Sequence, residues 1–75
     1  MDQLQLAGRI RAFRKLKGYT QNEFSEKLGV SVAVLGAVER GTRTPDGKLL
    51  RLIAQTLDID IDELTGERTE KGRGY

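Results

Sequence analysis

Seventy-five residues in one continuous pattern leave room for a single domain with one core, near the lower size limit for unaided folding. Cysteine and histidine are both absent, which excludes a disulfide framework and thiolate or imidazole metal ligands, so helix packing alone must hold the chain together. The formal net charge of +2 is unevenly divided: residues 1–57 hold ten Lys/Arg against five Asp/Glu, and residues 58–75 hold three against six. A basic body mildly favours polyanionic partners. No apolar run of about 18 residues occurs, and the opening Met1-Asp2-Gln3 is polar where a secretory signal would be basic and then greasy. The expected setting is the cytoplasm, with no membrane contact.

The chain begins with helical spacing. Leu6, Ile10, Phe13 and Leu16 fall on one stripe, with Arg9, Arg11, Arg14, Lys15 and Lys17 around the other faces, predicting a first helix over residues 4–17. Gly18 follows its basic last turn as a left-handed closing residue would. Thr20-Gln21-Asn22-Glu23 has the form of a capping box and starts a second helix, whose apolar face is Phe24 and Leu28 and whose end is Gly29. Tyr19 and Phe24 stand where a hydrophobic staple would sit. Ser31 is a further N-cap, opening a third helix from Val32 to Arg40 that Gly41 stops, with Leu35 and Val38 facing inward. Thr42 to Gly47 is rich in turn residues, and Asp46 can cap the next helix. Leu50, Ile53, Ala54 and Leu57 form the i, i+3, i+4, i+7 stripe of that fourth helix. Ile59, Ile61 and Leu64 mark a last short turn, entered through Asp60 as cap and closed by Gly66. Residues 67–75 are charged and almost without apolar side chains, predicting a flexible tail behind a domain of residues 1–66.

Two short helices joined by Gly29-Val30-Ser31 make a helix-turn-helix unit, an arrangement that puts its second helix in the major groove of DNA while the first crosses the backbone. The residues themselves resemble the Cro/C1-type, or XRE-type, helix-turn-helix regulators of bacteria and their phages. The resemblance runs over residues 7–64. It is carried by Gly8-Arg9-Ile10-Arg11 with Arg14, by Gly18-Tyr19-Thr20-Gln21, and by Lys27-Leu28-Gly29-Val30-Ser31. Further matches are Val38-Glu39-Arg40-Gly41 with Arg43 and Pro45, then Leu50, Ile53-Ala54, Leu57 and Asp62-Glu63-Leu64. It implies an all-α, five-helix, lambda-repressor-like domain that binds double-stranded DNA as a transcriptional regulator, commonly as a homodimer.

By that resemblance, Gln21 contacts a DNA phosphate at the N-terminus of the second helix, and Arg43, with Thr42 and Arg40, supplies backbone contacts after the third. Solvated surface charge is the plainer reading of Arg40 and Arg43. Arg14 and Glu39 match a buried salt bridge between the first and third helices, a determinant of folding. The third helix departs from the family at its outward positions, Val32, Ala33, Gly36 and Ala37, with Val34 beside them. None can form a bidentate hydrogen bond to a base, each of which is worth about 1 to 3 kcal/mol of discrimination. Readout must then come from DNA shape, from the flanking Ser31 and Arg40, or from a partner protein. Two readings stay open: phosphate-led DNA binding, or a protein-docking face of the antitoxin, anti-repressor or tethering kind. Leu49 and Leu52 lie off the main stripe and either widen the core or join Leu64 in a dimer seam.

Other signals carry less. Gly41 to Lys48 has the wrong glycine spacing for a phosphate-binding loop, and Leu49 stands where a hydroxyl is required. Asp58, Asp60 and Asp62 begin like a calcium loop, but Glu63 replaces the turning glycine and Thr69 the bidentate glutamate. No nucleophile-base pair or metal cluster is present in the pattern, so neither catalysis nor a cofactor is expected.

Overall fold

Side-chain caps decide where three of the five helices start. A computed structural model describes residues 3–66 and arranges them as α1 (Gln3–Leu16), α2 (Gln21–Leu28), α3 (Val32–Arg40), α4 (Gly47–Leu57) and α5 (Ile61–Thr65). The expectation of a flexible tail over residues 67–75 lies outside these. Thr20 Oγ1 accepts from the Glu23 amide at 3.1 Å while Glu23 Oε1 accepts from the Thr20 amide at 2.9 Å, so the capping box is closed in both directions. Ser31 Oγ accepts from the Val34 amide at 3.1 Å and Asp46 Oδ1 from the Leu49 amide at 2.8 Å, opening α3 and α4 in the same way. Asp60 occupies the N-cap of α5 in backbone conformation, but its side chain makes no capping hydrogen bond, which corrects the expectation there. Asp58 closes α4 at φ 60°, a left-handed conformation that aspartate tolerates better than most side chains.

Ile10, Phe24, Leu35, Ile53, Leu57 and Leu64 are fully buried, and Val38, Leu28 and Ala54 complete the core. The packing brings α3 against α1 and α2, and α5 against α1 and α4, with α2 also touching α4. Tyr19 stacks on Phe24 with ring centroids 5.5 Å apart, and Lys27 lies over the Tyr19 ring. The buried side of α1 is centred on Ala7, Ile10 and Arg14, and Leu16 is 75% exposed. The stripe drawn through Leu6, Ile10, Phe13 and Leu16 is therefore rotated from the true one. Small Ala7 and the internal partner of Arg14 turn the helix that way, leaving Leu6 and Phe13 at the edge of the core.

Gly41 shows why a glycine ends α3. Its φ is 80°, and a Cβ placed on it would come 2.6 Å from Leu4 Cδ2, because the start of α1 rests against the end of α3. Gln3 secures that approach by donating its side-chain amide to the Gly41 carbonyl. Arg9 does comparable work at the end of α5: its Nε and Nη2 donate to the carbonyls of Leu64 and Glu63, at 2.7 and 2.6 Å. These are carbonyls that a helix end leaves without intrahelical partners, and α5 is too short to stand without such support.

Candidate nucleic-acid interface

The inner side of α3 is fixed by charge as well as by apolar packing. Arg14 Nε and Nη2 donate to Glu39 Oε2 and Oε1 at 2.7 and 3.1 Å, a fork-to-carboxylate pair whose side chains are 8% and 2% exposed. Arg14 Nη1 also donates to the Tyr19 carbonyl at 2.7 Å, tying the pair to the turn before α2. Gln21 belongs to the same cluster. It is half-buried, and its Nε2 donates to Glu39 Oε1 at 3.0 Å. One donor of Gln21 therefore faces inward, and the start of α2 is braced against α3.

The outer side of α3 is small and bare at its beginning. Ser31, Val32 and Ala33 are exposed, Val34 and Ala37 are half-buried, and Arg40 at the helix end is exposed. Gly36 is an exception among the outward positions, because the structure buries it. A Cβ at Gly36 would meet Arg40 Nη1 at 3.1 Å, so the guanidinium of the residue four positions on lies over it. This corrects the expectation that Gly36 is open to a ligand. Long helical side chains point back toward the N-terminus, and only glycine leaves space for the tip of this one. The Ala37 carbonyl receives the amides of Thr42 and Arg43 at 3.0 and 3.3 Å and the Thr42 hydroxyl at 3.2 Å. These bonds set the course of the loop and leave the Arg43 side chain exposed beside the helix.

Two clefts flank α3. One, of about 550 Å³, runs from Ser31 and Val34 across to Arg43, Lys48 and Leu49. The other, of about 560 Å³, lies between Thr20 and Gln21 at the positive end of α2 and the side chains of Arg11 and Arg40. The first is lined by Arg43 and Lys48 with the Asp46 carboxylate, and the second by Arg11 and Arg40 with the Arg14–Glu39 pair, so the exposed start of α3 sits between two clefts with a surplus of cationic groups. Arg11 and Lys48 do not stand out as site residues in the sequence. The signal that could have found Arg11 is its place one helical turn before Arg14, and for Lys48 it is the first turn of α4.

The residues considered for a dimer seam separate. Leu49 and Leu52 are half-buried against the core, whereas Leu64 is fully buried within it. Leu64 is thus unavailable to a second chain, because its side of α5 is needed to close the core between α1 and α4. Ile61, which the sequence pattern does not mark for the seam, is 37% exposed and shares a cleft with Leu52. Among the described residues no cluster of three or more metal-ligating side chains occurs, and no helix is long and apolar enough to cross a membrane.

Five helices, a short turn between α2 and α3, and a bare outer face between cationic clefts define a lambda-repressor-like helix-turn-helix domain. The helix-turn-helix family profile matches residues 10–64, and the chain belongs to this Cro/C1-type family of DNA-binding transcriptional regulators, which are not enzymes. It is 55% identical over 56 residues to the uncharacterised HTH-type transcriptional regulator YazB of Bacillus subtilis, covering 75% of this chain and 81% of YazB. The crystal structure of SinR, the master regulator for biofilm formation, in complex with DNA superposes with a TM-score of 0.75. That match has 34% identity and covers 80% of this chain and 97% of SinR's solved chain. The restriction-modification controller protein C.AhdI from Aeromonas hydrophila gives a TM-score of 0.78 at 31% identity, covering 81% of this chain and 92% of that one.

Proposed function

We infer that this regulator lays the first half of α3 in the major groove and is held there by phosphate contacts from both flanks. The observation that carries this reading is the exposed, small-residue surface of Ser31, Val32 and Ala33, set between two clefts in which cationic groups outnumber carboxylates. On one flank, Arg43 and Lys48 face the backbone, with Thr42 beside them. On the other, Arg11 and the amide end of α2 receive a phosphate, and Gln21 completes the site with its remaining amide capacity. Val32, Ala33 and Ala37 offer methyl contacts to thymine and little else. The likeness to a regulator solved on DNA supports the same mode of approach. Two copies paired through Leu49, Leu52 and Ile61 would place their α3 helices on half-sites about 34 Å apart. Relatives from Bacillus point to the bacterial cytoplasm as the place of action.

The test is binding to a random duplex pool across ionic strength. Phosphate-led binding predicts that log affinity falls linearly with log salt, with a slope of about −0.9 for each phosphate neutralised. Arg11, Arg43 and Lys48 engaged in each copy would give a slope of about −2.7. No duplex retained at low salt removes the reading. Affinity for DNA that ignores salt removes the phosphate-led part of it.

A further inference from the structure

The outer face of α3 is almost empty of hydrogen-bonding groups, and the one group laid across it is a guanidinium. Val32, Ala33 and Ala37 carry only methyl groups, and the Ser31 oxygen is occupied in capping Val34. Arg40, from the end of the helix, turns back over Gly36 so closely that a Cβ there would be 3.1 Å from Nη1. Its side chain has no hydrogen bond or ion pair with any other described residue. Packing over a glycine four residues earlier is not enough by itself to give this cover. Arg51 lies over Gly47 in α4 with the same spacing, at 3.5 Å, and leaves Gly47 exposed, whereas Gly36 is buried.

We propose that Arg40 is the base-reading residue of this chain, recognising guanine, with Gly36 as the bed on which its guanidinium rests along the recognition helix. This rests on the placement of α3 in the major groove given above. Guanine presents two acceptors there, N7 and O6, and a guanidinium supplies two parallel donors to them. An arginine free in solvent loses much rotamer freedom on making that fork. One already folded back along the helix loses less, and the methyl-sized neighbours let the helix come close enough for the reach. The arrangement places the specificity of α3 in its last residue and in the absence of a side chain at position 36, the second of which a search for polar outward positions passes over.

The experiment is selection from a randomised duplex library by the full chain, followed by affinity for the selected duplex and for variants with each guanine replaced. The wild type should enrich guanine at one position of each half-site. Arg40→Ala should cut the discrimination at that position about tenfold or more and leave other positions unchanged. Arg40→Lys keeps the charge, so binding to unselected duplex should persist while the guanine preference falls. Gly36→Ala is the sharper variant. Alanine favours the helix, so its melting temperature should not drop, but the new Cβ displaces the guanidinium and should weaken the guanine preference. If Arg40→Ala weakens guanine-bearing and guanine-free duplexes by one common factor, Arg40 is a phosphate contact and the proposal fails. An unchanged guanine preference in Gly36→Ala also overturns it. In both cases duplex binding persists and the reading of α3 in the groove survives. Loss of all duplex binding by the wild type would sink both together.

Discussion

Two pairs of arginines are used in opposite ways. Arg9 and Arg14 on α1 have their guanidinium donors engaged inside the protein, on the carbonyls of Glu63, Leu64 and Tyr19 and on the Glu39 carboxylate. Arg40 and Arg43, around the end of α3, are exposed, and their side chains carry no hydrogen bond or ion pair with the described residues. Formal charge weighs all four alike. The difference teaches that the positive balance of the chain overstates what a ligand meets, because some of the cations are struts and the rest are hands.

Breaking a strut should have the largest effect. Glu39→Ala strands the Arg14 charge and should cost about 3 to 5 kcal/mol in a urea titration. Replacing both partners with apolar residues, as in Arg14→Met with Glu39→Leu, should recover most of that loss, since an apolar pair leaves no charge unsatisfied. A single substitution costing under about 1 kcal/mol would show that solvent reaches the site and that the pair is not a strut. Arg9→Ala comes next. It removes two charge-assisted bonds at the end of α5 and should cost about 2 kcal/mol, with faster hydrogen exchange at the Leu64 amide. Neither stability loss should be relieved by a substitution on the DNA side.

Removing a hand should do the reverse. Arg43→Ala should leave stability within about 0.5 kcal/mol of wild type. Its salt slope for duplex binding should become shallower by about 0.9. A large drop in melting temperature would move Arg43 into the first class and blur the comparison. The smallest effect lies in the capping box. The Glu23 carboxyl is held below its ordinary value, chiefly by the Thr20 amide that it accepts and then by the Thr20 hydroxyl. A carboxyl whose folded value is depressed contributes fully above its unfolded value, and that contribution is lost as pH falls through the lowered one. Stability should therefore decline on acidification through that window. Glu23→Gln, which can still accept from Thr20, should flatten this part of the acid limb.

How far the sequence could be read depended on the distance over which each feature acts. Thr20 with Glu23, Ser31 with Val34 and Asp46 with Leu49 are each three residues apart, and the helix starts came from them directly. The identity of the family was equally legible, because its pattern runs along nearly the whole described chain. Arg9 reads in sequence only as surface charge, since its partners lie more than fifty residues away. Leu16 reads as core and Leu64 as seam for a related reason. Periodicity gives the width of an apolar stripe, but the helices packed against it decide which way the stripe turns. Gly36 does fall outward on the helical wheel, yet it is covered by a side chain from its own helix, which a wheel does not display.

The amino-acid order by itself determined the number and order of the helices, the side-chain caps that open α2, α3 and α4, and the turn that joins α2 to α3, because each rests on contacts within one or two turns of chain. Only the tertiary structure decided which cations face outward, which leucine closes the core and how the surface of α3 is furnished. Those outcomes depend on residues such as Arg14 and Glu39, separated by 25 positions and brought together only when the core packs.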